Sequence, residues 1–539
     1  MTTEHDTKTT GGAAGRARKP RTAGDPVTLE DKLWAAADKL RGKIPPSRYQ
    51  DVVLGLVFLK YVSDAFTERR RGLHAKLDDP ASDYHTSDAA MRELVLEDRD
   101  EYAMDNVPWV PADARWEKLQ SSAKLAYIGE LIDNAMDAVE RENPSLRGVL
   151  PKIYASAGIP PRVLGGLIDT FSGIEFDAGS RAHDVLGRVY EYFLNRFGIN
   201  YGGEHYTPRP IVRLLVSMIE PFKGRVYDPC CGSGGMFVQS RRFVEEHGGS
   251  NTDMSVFGQE AVLDTWRLAK MNLAIRGIDA NLGDRNADSF HEDLQPDLRA
   301  DFLLANPPFN DSDWDGELLR DDPRWVYGVP PATNANYAWV QHFIYHLAPD
   351  GIAGFVLANG ALSSWQNGEG DIRRRIIEAG LVDSIVSLPT QLFYKTSIPV
   401  SLWFVAKARA GGRGLRERRN EVLFVDAHNI GRMATRTVRT FDETDIQRIV
   451  TAYHGWRSES GGYVDVPGFC QSVALDRLKA NDWVLNPARY VGSESADEDE
   501  SRRLAARFTD LVAEALVELD NGEALRGLVR ATLDEVQRG

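Results

Sequence analysis

From Thr28 onward the chain reads as helix. Leu29, Leu33, Ala36 and Leu40 recur at i, i+4, i+7 and i+11, one stripe along a helical face. Thr28 is placed to cap that helix and Pro45-Pro46 to stop it. A second helix is predicted over Tyr49–Arg70, and residues 27–165 together read as a helical N-terminal domain without a catalytic constellation. Past residue 180 the texture changes. Helices are predicted over Asp184–Phe197 and Pro210–Glu220, followed by short apolar runs at Arg225–Tyr227, Ser255–Gln259, Phe302–Ala305, Ile352–Leu357, Val382–Ser387 and Val400–Ala406. Strands alternating with helices imply an α/β domain, over 166–491, built on a mainly parallel, doubly wound sheet. The last runs have few helices between them, which predicts an antiparallel addition at one edge.

The two ends differ from this body. Residues 1–26 carry almost no large apolar side chains and read as a disordered tail, whose Arg16, Arg18, Lys19 and Arg21 could touch phosphate. Residues 492–501 are acidic and serine-rich, a linker. Beyond it, 502–539 is predicted as a helical tail. Leu504, Phe508, Leu511, Ala515 and Leu519 share one face, Asn521-Gly522 interrupts, and Leu525, Leu528, Val529 and Leu533 resume the stripe.

Composition narrows the classes. The most apolar stretch, Val52–Val62, spans 11 residues and contains Lys60, short of the ~20 that cross a bilayer. No charged-then-apolar leader pattern is present, so a cytoplasmic protein without membrane association is expected. The cysteines Cys230, Cys231 and Cys470 form neither a zinc spacing nor a bridgeable pair, so no metal is expected. The net charge of −15 opposes approach to a polyanion. If the chain works on DNA, it does so through a local basic surface or a basic partner.

Two constellations carry chemistry. Asp228-Pro229-Cys230-Cys231-Gly232-Ser233-Gly234-Gly235 follows a predicted strand, and glycines at a strand-to-helix turn let a ligand approach backbone amides closely. It is not a dinucleotide fingerprint. The second, Asn306-Pro307-Pro308-Phe309, ends another predicted strand, where ligands bind in open α/β sheets. The two prolines stiffen the backbone, so that the Asn306 amide oxygen and the Pro307 carbonyl aim at one spot as paired acceptors. A nucleobase amino group offers two N–H donors to match. Accepting both draws nitrogen lone-pair density out of ring conjugation, and Phe309 supplies a stacking face for a base swung out of the duplex. The bland reading of the first is a purely structural glycine turn, and of the second a proline-stiffened turn with a core phenylalanine.

Together these segments resemble the amino-group DNA methyltransferases. Gly203-Glu204-His205-Tyr206-Thr207-Pro208-Arg209-Pro210 resembles their Thr-Pro segment, and its place before the glycine loop is the gamma order. Phe257-Gly258-Gln259-Glu260 is similar to their second cofactor strand. The stretch Leu29–Trp34 through Phe58–Asp64, with Tyr337-Ala338-Trp339, Leu388-Pro389 and Asn486–Tyr490, extends the resemblance to the methylation subunits of type I restriction-modification enzymes, from residue 28 to the C-terminus. The resemblance implies a Rossmann-like class I methyltransferase sheet between helical ends, transferring methyl from S-adenosylmethionine to adenine N6 in DNA. It implies that Glu204, His205, Tyr206, Thr207, Pro208, Arg209, Gly232, Ser233, Gly234, Gly235 and Glu260 surround the cofactor. Asp228 would orient the loop, Asp284 would reach toward the cofactor's adenine or else stand on a surface turn, and Asn306, Pro307, Pro308 and Phe309 would be catalytic. Implied partners are DNA, a specificity subunit that reads the target and takes two methylation subunits, and a restriction/translocase subunit. Departures are mild: Cys230-Cys231 replaces small or acidic residues, and His205 replaces another aromatic. The alternatives are a stand-alone DNA adenine methyltransferase, a protein-glutamine or RNA methyltransferase using a similar turn, and a non-catalytic scaffold. The Thr-Pro segment disfavours the protein-glutamine and RNA enzymes, and intact Asn306, Phe309 and Glu260 disfavour the scaffold.

Overall fold

The computed structural model describes residues 48–173 and 207–492, apart from 251–252, 394–397, 413 and 437, with scattered positions in 34–45 and 187–193 and at 507 and 511. The N-terminal tail, most of the first predicted helix, Glu204, His205 and Tyr206, the acidic linker and nearly all of the C-terminal stripe lie outside the described residues. The chain divides into two compact units. The first holds Met1–Ala103, Val107–Ser145 and Leu150–Leu194, and the second Met104–Asn106, Leu146–Val149 and Asn195–Gly539.

The first unit is helical. Its spine, α1 (Tyr49–Asp78), buries an unbroken run from Val52 to Ser63 because other helices wrap it. α2 (Ala89–Leu96), α3 (Trp116–Ser121) and α5 (Pro161–Ser172) pack against it, and α4 (Ile128–Glu142) packs on α3 and α5. The cation inside the apolar run is paired: Lys60 meets Asp64 one turn on. No helix of the described residues is long and apolar enough to cross a membrane.

The second unit is built on a nine-stranded sheet. Its strands are β1 (Gly224–Asp228), β2 (Met254–Gly258), β3 (Ala280–Asn281), β4 (Ala300–Ala305), β5 (Leu347–Ala358), β6 (Val382–Ser387), β7 (Val400–Ala406), β8 (Glu421–Asp426) and β9 (Cys470–Ala474). Across the sheet they run β9-β8-β6-β7-β5-β4-β1-β2-β3. Every pairing from β3 through β5 is parallel. The antiparallel element differs from the expected edge addition. β7 returns between β5 and β6, antiparallel to both, while the edge on that side is β9, antiparallel to β8.

Helices cover both faces, so the inner strands read as continuous apolar runs instead of alternating. On one face α9 (Asn336–His346) shares a core with Ala353, Phe355 and Leu357 of β5. On the other, Ile219 at the end of α6 (Arg209–Ile219) lies over Gly354. α7 (Gly235–Glu246) packs on α6, and α8 (Leu263–Ile275) follows β2. Chain order reverses at β1, whose neighbours are β2 on one side and β4 on the other. That is the switch point where open α/β sheets bind ligands.

Candidate functional site

Both chemical motifs sit at that switch point. Tyr227 of β1 pairs with Leu303 of β4, so Asp228 lies level with Leu304 and Asn306 leaves the sheet just above it. The loop from β1 turns into α7 through two left-handed residues, Gly232 (φ 54°) and Gly234 (φ 78°). A side chain at either would be strained. The turn closes with the Gly234 N–H donating to the Cys231 carbonyl at 2.8 Å.

Neighbouring strands hold this loop from below. Asp228 Oδ1 accepts the Cys230 N–H at 3.0 Å. The Asp228 carbonyl accepts from Gln259 N at 3.0 Å, and the Gln259 carbonyl accepts from Cys231 N at 2.9 Å. Glu260, directly after β2, takes the Gly232 N–H on Oε2 at 3.0 Å and the Val262 N–H on Oε1 at 2.9 Å. On the outer side Asn272 of α8 donates to the Ser233 carbonyl at 2.6 Å. Burial raises the Asp228 carboxyl to about 7; the Cys230 N–H works against this and the charge of Glu260 adds to it. Burial, with Asp228 and Glu260 nearby, also pushes the Cys231 thiol up, so at neutral pH it is a thiol and no nucleophile.

Above the loop is an open cavity whose wall includes Thr207, Asp228, Cys230, Cys231, Gly232, Ser233, Gly235 and Asn306. Three segments far apart in sequence therefore meet in one place. Val212 and Met236 add apolar wall; neither is marked by a motif, because an apolar residue on a helix reads as core. A Cβ built on Gly232 or Gly235 meets no protein atom within 4 Å, so it would stand in the cavity itself.

The remaining expected residues fall around it. Pro208 is buried, with φ −60° preset for the start of α6, and Arg209 is exposed. Asp284 is not brought to the cavity. It lies on an exposed turn paired with Arg285 at 3.0 Å, its side chain 81% accessible. The Asn306 turn is a mixed environment: Pro307 is buried, Pro308 exposed, and the Phe309 ring meets Phe393 edge-on at 6.0 Å. Past it, Asn310 is held in the left-handed region (φ 55°) by the buried Asn336. Asn336 was not singled out by its sequence context, although it precedes the Tyr337-Ala338-Trp339 segment.

Among the described residues, Asp293, His342 and His346 bring ligand-type atoms within 4.8 Å of one another. His346 Nε2 is hydrogen-bonded to Asp293 at 3.0 Å, and proton bookkeeping removes His342 as a ligand. Arg324 Nη1 lies 2.9 Å from His342 Nδ1 and has no lone pair to accept with. Nδ1 must therefore accept, the neutral ring carries its proton on Nε2, and that nitrogen cannot ligate. His342 is neutral because burial, helped by His346 and Arg324, pulls its pKa well below the usual value.

A doubly wound sheet with a glycine loop at its switch point, beside an Asn-Pro-Pro-Phe turn on the next strand, defines a class I, S-adenosylmethionine-dependent methyltransferase. The chain belongs to the family described as N-6 DNA Methylase, which matches residues 181–499, and the HsdM N-terminal domain matches residues 29–171. It is 40% identical to the "Type I restriction enzyme MjaIX methylase subunit" of Methanocaldococcus jannaschii, over 94% of this chain and 91% of that one. It is 45% identical to the "Type I restriction enzyme HindI methylase subunit" of Haemophilus influenzae, over 75% and 94%. The solved structure of the type I restriction-modification system methyltransferase subunit from Streptococcus thermophilus superposes with a TM-score of 0.70 at 25% identity, covering 86% of this chain and 99% of that one. The protein is an adenine-N6 DNA methyltransferase of the type I restriction-modification kind.

Proposed function

We propose that the cavity over the glycine loop is the S-adenosylmethionine site and that methyl transfer takes place at its Asn306 wall. The observation that carries this is the convergence of Thr207, the Asp228–Gly235 loop and Asn306 on a single cavity. The residues present fit the cofactor. Gly232 and Gly235 leave open the space their side chains would fill. When bound, the cofactor supplies a sulfonium methyl as electrophile. The chain does the rest by position and charge. Asn306 Oδ1 and the Pro307 carbonyl accept the two N–H groups of the target amine, which fixes its lone pair and raises its nucleophilicity. Phe309, braced by Phe393, stacks on the extruded base. Glu260 holds Gly232, and its carboxylate is the acceptor for the ribose hydroxyls. Asp284, standing outside the cavity, would come to the cofactor's adenine only with a movement of its turn.

The target sequence is read by a separate specificity subunit that takes two copies of this chain, with a restriction/translocase subunit joining the assembly in the cytoplasm. The net charge of −15 supports a partner that contributes the DNA-facing positive surface.

Asn306→Ala, assayed in the assembled complex, tests the chemical assignment. Tritium transfer to adenine is expected to be lost, with the cofactor dissociation constant within about twofold of the parent, because Asn306 touches the target amine. Near-normal transfer by this variant would sink the assignment.

A further inference from the structure

The acceptors at the end of β4 are useful only if the turn that carries them holds still, and prolines alone do not fix where a turn points. Just past Phe309 the chain takes an unusual step: Asn310 is exposed, yet its backbone sits at φ 55°. Asparagine tolerates that region better than most residues, but it still needs an external hold. Asn336 supplies one. Its Oδ1 accepts the Asn310 N–H at 3.0 Å and its Nδ2 donates to Asn310 Oδ1 at 2.9 Å. The orientation of the Asn336 amide is settled by chemistry, since a backbone N–H can only face an oxygen. A second tie lies beside it, Ala335 N–H to the Asp311 carbonyl at 2.9 Å.

The anchor is rigid. Asn336 is 1% exposed and is the first residue of α9, a helix buried on nearly every side. Its neighbour Tyr337 donates to the Ala361 carbonyl at 2.7 Å. Two hydrogen bonds to one residue control both the position and the rotation of the peptide that follows Phe309.

We infer that Asn336 is a positioning residue for methyl transfer: by gripping Asn310 at its N–H and its side-chain amide, it sets the direction of the Asn306–Phe309 turn toward the target amino group. This rests on the reading of Asn306–Phe309 as the catalytic turn. Asn336 touches neither cofactor nor base. A displacement of the acceptors by about 1 Å can cost on the order of a hundredfold in rate, so loss of the grip appears in the chemical step.

The test uses the full complex with its specificity subunit, single-turnover transfer from tritiated S-adenosylmethionine, and calorimetric titration of the cofactor. Asn336→Ala removes both the acceptor for the Asn310 N–H and the donor to Asn310 Oδ1. It should slow transfer about a hundredfold while leaving the cofactor dissociation constant within twofold. Adding Asn310→Gly suits the left-handed backbone without the lost hold, so the double variant should recover most of the lost rate. A role in folding alone predicts no such rescue. Should Asn336→Ala fail to fold, the exposed Asn310 provides the probe, with Asn310→Gly faster than Asn310→Ala. A parental single-turnover rate in Asn336→Ala, no rescue by Asn310→Gly, or equal rates for the two Asn310 variants would overturn the inference. Asn306→Ala run alongside separates the two ideas: if it transfers normally, the reading of the turn fails, whereas an inactive Asn306→Ala beside an unaffected Asn336→Ala removes only the positioning role.

Discussion

Gly235 is the first residue of α7, and its backbone is ordinary for a helix. Nothing in the protein crowds a Cβ there, and alanine is favoured over glycine in a helix by about 1 kcal/mol. Its absence of a side chain is therefore a property of the cavity and not of the fold. Gly235→Ala should leave the unfolding midpoint equal to the parent or higher, and weaken S-adenosylmethionine binding by about tenfold or more, since one methyl group then occupies ligand space. Thermal melts with and without cofactor read both effects. Equal cofactor affinity in parent and variant would place the ligand elsewhere. Gly232 gives a poorer test, because at φ 54° any side chain would also strain the loop.

Among the elements, legibility followed burial. β7 was bounded correctly as Val400–Ala406 because every residue in it is buried and the largely apolar run begins and ends with the strand; β6, Val382–Ser387, was bounded correctly on Val382, Ile385 and Val386 although Asp383, Ser384 and Ser387 are polar. Where a helix surfaces, the signal weakened. α1 continues past Arg70 to Asp78 with Leu73 and Leu77 fully buried, but Glu68–Arg71 and Gly72 break the stripe. Arg69 and Arg70 stay in helix by reaching to Glu101 and Glu97, contacts from distant sequence that no local pattern contains. β8 and β9 were missed, and the place of β7 inside the sheet was not foreseen, since strand order is decided by pairing across the chain. At the site, the glycine loop and Asn306 were legible because backbone and amide chemistry restrict residue type. Asn336 was not, because a single asparagine at a helix start has an ordinary capping explanation. The same holds for Asp383 on β6, wholly buried among Arg409, Arg418 and Arg457 and bonded to Arg409 at 2.9 Å and to Tyr453 at 2.9 Å. Burial raises its pKa, yet the three guanidiniums and the Tyr453 hydroxyl outweigh it and hold the carboxyl below its usual value. A depressed folded pKa contributes stability above the unfolded value of about 3.9, lost as pH falls below it. Asp383→Ala should therefore cost about 3–5 kcal/mol at neutral pH in urea unfolding, because it strands buried cations, and the cost should shrink in acid. A cost independent of pH would show that the charge of Asp383 is not what holds these arginines.

At the scale of the whole molecule, a chain of net charge −15 must act on a polyanion. Its sequence carries an amphipathic stripe from Leu504 to Leu533 after an acidic stretch, and we propose that this stripe docks on the specificity subunit. Truncation after Val491 should spare cofactor binding and abolish both copurification with that subunit and tight DNA binding; assembly at full affinity would return the stripe to the core of this chain. The central claim is that one cavity in the second unit holds the cofactor with its methyl group toward Asn306. It is tested most directly by ultraviolet photolabelling of the intact protein with S-adenosylmethionine tritiated in the methyl group, followed by peptide mapping. The account predicts label in the peptides carrying Asp228–Gly235 and Asn306–Phe309, competed by unlabelled cofactor. Competable label confined to peptides of the first unit, or to strands away from the β1–β4 switch point, would contradict it.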